Sequence, residues 1–124
     1  MTSEQGFSFV AKEDAKVLIL GSMPSVISLG QQQYYAHPRN AFWKIMAQLF
    51  EFPENLSYAD KLIALQKHQL CLWDVIASCE RRGSLDSNIN NQSIVNNDFA
   101  EFFKLHPQIK HIFFNGSRAD QEYN

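Results

Sequence analysis

Four short stretches of this chain concentrate side chains able to bind or transform a ligand. The richest is Tyr34-Tyr35-Ala36-His37-Pro38-Arg39-Asn40-Ala41-Phe42-Trp43. Tyrosine rings can stack on a nucleobase, and an arginine fork can meet a phosphate. Asn40 stands directly before a helical pattern, where asparagine is a favoured N-cap, so a structural role competes with a chemical one. The second stretch, Gly21-Ser22-Met23-Pro24-Ser25, follows an apolar run. It has neither the glycine spacing of a dinucleotide fingerprint nor the Gly-Lys-Ser/Thr of a phosphate loop. The third, Cys79-Glu80-Arg81-Arg82-Gly83-Ser84-Leu85-Asp86-Ser87, reads equally as a polar site wall or a solvated loop. The fourth, Asn115-Gly116, also suits an ordinary tight turn. No metal is expected: His37, His68, His106 and His111 do not fall at ligand spacing, and His68 with Cys71 makes half a site at best.

The elements around these stretches predict how they are positioned. Residues 17–22 (VLILGS) form a continuous apolar run that suits a strand buried on both faces. Residues 70–76 (LCLWDVI) and 109–116 (IKHIFFNG) predict two more strands. Phe42, Ile45, Met46, Leu49 and Phe50 recur at helical spacing. Ser57 opens a second helix in a capping-box pattern with Asp60, and Asp98 opens a third that ends before Pro107. Ser117 is the expected cap of a last, short helix. Residues 80–97 lack a clear period and read as one long loop. Strands alternating with helices predict an α/β fold with a parallel sheet. Ligands gather at the carboxyl ends of such strands, which is where the second, third and fourth stretches fall.

Composition narrows the function classes. At 124 residues the chain fits one domain, and 45% apolar with 13% aromatic residues is enough to form a packed core. No apolar run approaches the ~20 residues a membrane span needs. The N-terminus lacks the basic-then-apolar order of a secretory signal, and two cysteines do not make a disulfide framework. A reducing, cytoplasmic setting is therefore expected. Eleven basic against thirteen acidic residues, net charge −2, argues against strong sequence-blind binding to nucleic acid. An enzyme touching a few phosphates remains compatible.

Taken together, VLILGSMPS, QYYAHPRNAFW, LWDVIASCERRGSLDS and FFNG resemble the uracil-DNA glycosylase superfamily, in its branch that removes hypoxanthine from deoxyinosine in DNA. Order and spacing both fit, over about residues 7–120. The block YYAHPRNAFW is the most specific part, and is also similar to the corresponding block of mismatch-specific uracil and thymine glycosylases. The resemblance implies a three-layer α/β/α domain around a parallel sheet of four strands. The fourth strand and a DNA-gripping Ser-Pro loop would lie beyond residue 124, so residues 1–124 are expected to form a single domain incomplete at its C-terminus. The sequence departs in the first turn from the patterns it resembles. Met23 stands where mismatch-specific enzymes carry Asn, Ser25 stands where glycine is usual, and the turn lacks the water-activating Asp of the uracil-specific enzymes.

The resemblance implies hydrolysis of an N-glycosidic bond on a flipped base, hypoxanthine or uracil, without metal or cofactor. Asn40 would orient the water. Tyr35 would stack on the base, and the backbone around Gly21, Ser22 and Met23 would bind its edge. Ser84, Asp86 and Asn115 would line the pocket, with His37 donating to the base or bracing the loop. Arg39, Arg81 and Arg82 would touch phosphate. No lysine holds a motif position, so a monofunctional enzyme without a Schiff base is expected. DNA carrying a deaminated base is the expected partner, with no membrane and no obligate protein. The alternatives are an inactive truncated relative and a nucleotide-binding α/β module without chemistry.

Overall fold

The computed structural model describes residues 2–124. Its centre is a parallel sheet of β2 (Val17–Gly21), β3 (Leu70–Asp74) and β6 (His111–Phe114), in the order β3-β2-β6. Register runs Val17 to Leu70 through Gly21 to Asp74, and Val17 to His111 through Leu20 to Phe114. The carboxyl ends of the strands thus bring Gly21, Asp74 and the start of the Asn115 turn side by side.

Strand alternation sorts the core. Leu18, Leu20, Cys71 and Trp73 pack with Phe102 of α4 (Phe99–Leu105) and Ala119 of α5 (Ser117–Tyr123). Ile19, Leu70 and Leu72 point to the other face of the sheet. There they meet Phe42 and Trp43 of α2 (Phe42–Phe50) and Leu65 of α3 (Tyr58–Lys67). The caps are local and legible: Ser57 accepts from the amide of Asp60 at 3.2 Å, and Asp98 from that of Glu101 at 3.1 Å.

Three expectations are corrected. The run 70–76 is not one strand: β3 ends at Asp74, and Ile76–Arg81 forms β4 in a second sheet. That sheet is antiparallel, with β1 (Thr2–Gln5) on one side of β4 and β5 (Val95–Asn96) on the other. The chain turns at Val75, whose amide donates to the carbonyl of Gly21 at 2.9 Å. Residues 80–97 are consequently not a single loop. They hold the end of β4, two 3-10 turns (Asp86–Asn88 and Asn91–Ser93) and β5. Finally, Gly116 rather than Ser117 is the cap of α5, and α1 (Val26–Gln31) follows the turn 21–25. The Ser25 hydroxyl caps α1 by accepting from the Ser28 amide at 3.1 Å.

Candidate functional site

A polar cavity of about 340 Å³ opens at the carboxyl ends of β2 and β3. Its wall draws on five separated parts of the chain: the turn 21–25, Tyr34 and Tyr35 with Asn40, Asp74, residues 84–86, and Asn115. Its volume lies within the ~300–1,000 Å³ of small-ligand sites.

The turn after β2 is held from several sides. The Ser22 hydroxyl donates to Oδ1 of Asp86 at 2.8 Å, and the Ser22 carbonyl accepts from the Ile76 amide at 3.1 Å. The Met23 side chain packs away with Ile76, Cys79 and Ile89, which leaves its backbone as the part facing a ligand. Gly21 is required by close approach. A Cβ there would lie 2.5 Å from Oδ1 of Asp74 and 3.2 Å from the Tyr35 hydroxyl. The Ser84 hydroxyl accepts from the Val26 amide at 2.8 Å, joining the third stretch to the start of α1.

The YYAHPRN block is a compact loop. The buried Tyr34 donates its hydroxyl to the Ser8 carbonyl at 3.1 Å, and its own carbonyl accepts from the Trp43 indole at 2.9 Å. Tyr35 takes a left-handed backbone, φ 57°, an uncommon and strained state for a tyrosine. Its ring stacks on Phe42 at 3.9 Å between centroids, so one face is covered, and its hydroxyl has no hydrogen-bond partner. Burial, chiefly, and the nearby Asp74 push that phenol above its ordinary value, against a neighbouring Asn115 that acts the other way. Asn40 is exposed, and its Oδ1 accepts from the Phe42 amide at 2.9 Å. Ala41, not Asn40, is the N-cap of α2, so the expected cap moves by one residue; Asn40 instead holds the Phe42 amide from just before the cap, with the same oxygen that would hold a water. An amide oxygen has two lone pairs, so the two roles are compatible.

One expected contact is corrected, and of the two roles open to His37 the bracing one is seen. Arg81 cannot meet a phosphate, because its side chain is 0% exposed. Its guanidinium pairs with Glu4 at 2.9 Å and donates to the carbonyls of Pro24 and Ser84. In β4 it shares a strand face with the buried Cys79. His37 lies off the cavity wall. Its Nδ1 accepts from the Arg39 amide at 3.0 Å, which makes it a brace for the loop. Arg39 and Arg82 are exposed.

Sequence reasoning passed over Asp74. It ends β3, is 4% exposed, and lines the cavity with one carboxyl oxygen unpartnered. Burial first, then the charge of Asp86, pushes its carboxyl up to about 7 against the opposing pull of Arg81. The available signal was an acid at the carboxyl end of an otherwise apolar strand.

A second hollow of about 740 Å³ adjoins the first along α2 and β6, lined mainly by Ile45, Met46, Leu49, Phe113 and Phe114, and it shares Asn40 and Asn115 with the polar cavity. Among the described residues no three His, Cys, Asp or Glu side chains converge, and no helix is long and apolar enough to cross a membrane.

The geometry can be set beside known proteins. The family model of the uracil DNA glycosylase superfamily matches residues 7–124. The hypoxanthine DNA glycosylase of Methanosarcina barkeri is 34% identical over 119 residues, covering 95% of this chain and 74% of that protein. Its namesake from Methanosarcina acetivorans is 38% identical with the same coverage. The solution NMR structure of a candidate uracil DNA glycosylase from Methanosarcina acetivorans superposes with a TM-score of 0.86 at 36% identity, covering 98% of this chain and 75% of that one.

Proposed function

The chain belongs to the uracil DNA glycosylase superfamily, and from that membership we propose that it is a monofunctional DNA glycosylase releasing hypoxanthine from deoxyinosine. Both curated relatives carry that activity in their names. The observation that carries the reading is convergence: residues 21–25, Tyr35, Asn40, Ser84, Asp86 and Asn115, remote in sequence, line one polar cavity.

The target base must leave the duplex stack to reach such a cavity, at a cost of a few kcal/mol that is lower for a poorly paired base. Tyr35 forms a wall against the flipped base, and the backbone of Ser22 and Met23 meets its edge. Asn40, turned by its bond to the Phe42 amide, offers its second lone pair to a water at the sugar's anomeric carbon. An amide cannot take a proton from that water, so the glycosidic bond breaks first and an oxocarbenium-like sugar forms. Stabilising the departing base is then the main catalytic demand. No lysine lines the cavity, which fits hydrolysis without a Schiff base. Arg39 and Arg82 are the candidates for phosphate. Two such contacts give a log–log salt slope of about −2.

We read residues 1–124 as one domain of three α/β/α layers, a reading supported by helix-packed clusters on both faces of the sheet. The decisive test is single-turnover release of free hypoxanthine from a deoxyinosine duplex with the chain in excess. Release that Asn40→Ala abolishes supports the assignment. A chain that binds such DNA yet releases nothing would instead be a binding module.

A further inference from the structure

Asp74 has no part in the scheme above, and its surroundings call for one. It stands beside Gly21 in register at the ends of the paired strands β2 and β3, and its Oδ1 would lie 2.5 Å from any Cβ at Gly21. Its backbone carbonyl is held by the Asn97 side chain at 2.7 Å, so the strand end is fixed. Its Oδ2 is buried without a partner, and the residue belongs to the wall of the cavity that Asn40 also lines. An unsatisfied buried carboxyl oxygen costs stability, and each such group in a native structure calls for an explanation, a catalytic role among them. The charged and titratable groups facing it are Arg81 from β4, Asp86 from the turn after β4, and Tyr34 and Tyr35 from the loop before α2.

We propose that Asp74 is the general acid of base release, giving its proton to a ring nitrogen of the flipped purine as the glycosidic bond breaks. This rests on the deoxyinosine glycosylase reading and supplies the step that Asn40 cannot. The C1′–N9 electron pair stays with the base. The proton on the Asp74 carboxyl passes to a ring lone pair, N7 or N3, so hypoxanthine leaves neutral. Water adds through its oxygen to C1′ and loses a proton, which returns to the Asp74 carboxylate directly or through solvent. One water is consumed, and the products are free hypoxanthine and an abasic sugar. The step favours purines. Hypoxanthine keeps basic nitrogens in the ring that receives the charge, whereas uracil offers only carbonyl oxygens. An acid whose proton is lost near neutrality is well matched to the task, since efficient proton donors titrate close to the working pH.

The test is the pH dependence of single-turnover hypoxanthine release between about pH 5.5 and 9, for the wild type, Asp74→Asn and Asp86→Asn. The wild-type rate is expected to fall about tenfold per unit above a break near neutrality. Asp74→Asn, near-isosteric, should be about 100-fold slower at pH 6, within the usual range for losing a general acid, and should show no break. Asp86→Asn removes the charge that raises Asp74 and should move the break to lower pH. Cooperative thermal unfolding and retained binding of a deoxyinosine duplex show that Asp74→Asn has folded, and the wild-type and Asp86→Asn profiles stand without it. A break of opposite sense, with the rate falling below neutrality, would make Asp74 a base and overturn the proposal. So would an Asp74→Asn profile parallel to wild type, or a break that Asp86→Asn leaves in place. Wild-type release with no break at all removes only Asp74. No wild-type release at any pH removes the glycosylase reading, and Asp74 with it.

Discussion

The two hollows that meet at Asn40 and Asn115 differ in kind. The smaller, about 340 Å³, gathers hydroxyls, amides and two carboxyls at the ends of parallel strands. The larger, about 740 Å³, is walled by α2 and β6 with aliphatic and phenyl groups, and Leu49 and Phe113 in it stand more than half exposed. Volume alone would choose the second. Chemistry chooses the first, because specificity needs a few polar groups fixed in place, and hydrogen bonds fix them in its wall. Ser22 is tied to Asp86, Ser84 to α1, and Asn40 to the start of α2.

Substitutions can break or sharpen that contrast. The largest effect is expected at Arg81, which supports the polar cavity from behind. Arg81→Ala strands the largely covered Glu4 and two carbonyls and should cost roughly 3 kcal/mol in chemical denaturation. Its neighbour Arg82→Ala should stay within about 0.5 kcal/mol while weakening duplex binding. Next comes Asn40→Ala, expected to slow hypoxanthine release about 100- to 1,000-fold under single turnover, the usual worth of one fixed polar group.

Asp74→Asn has a pH-dependent effect on stability. The folded-state carboxyl titrates near 7, above its unfolded value of 3.8. Its stabilising contribution is therefore complete below about pH 4 and lost as pH rises through 7. Relative to wild type, Asp74→Asn should gain stability across that window and hold the gain at pH 8, with a ceiling of roughly 4 kcal/mol at ~1.4 kcal/mol per unit. Melting curves at pH 4 and pH 8 read it directly; an equal difference at both would show that the carboxyl does not titrate in this range. The smallest effect belongs to the apolar hollow. Leu49→Ala is expected to change stability by about 0.5 kcal/mol or less and to leave release unchanged. A loss of release comparable to that of Asn40→Ala would erase the distinction between the two hollows.

The parts of the fold legible in sequence are those whose signals are local. The buried runs of β2 and β3, the helical stripe of α2 and the caps at Ser57 and Asp98 each declare themselves within about ten residues. The second sheet does not. Thr2–Gln5 is polar and aperiodic, and becomes a strand only because β4 offers its edge. β4 itself is hidden because its apolar start continues the run of β3, with the turn falling at Val75. The same omission misassigns Arg81. Adjacent arginines look equivalent in a loop, whereas Arg81 ends β4 on the buried face of Cys79 and Arg82 opens the exposed turn that follows. Most of the cavity wall was readable as motif residues. Asp74 was passed over, because a lone acid at the end of an apolar run is a weak signal until the pairing of β3 with β2 sets Gly21 beside it.

The Arg81–Glu4 pair joins residues 77 positions apart, and this sets an order of events during synthesis. A contact of such separation forms only after the intervening loop is closed. While the chain emerges N-terminus first, β1 has no partner until β4 follows it. The Pro24 carbonyl likewise waits for the same guanidinium. The motif turn is thus translated early but locked late, and a nascent chain that stops short of residue 81 carries the residues of the turn without the clamp that shapes it.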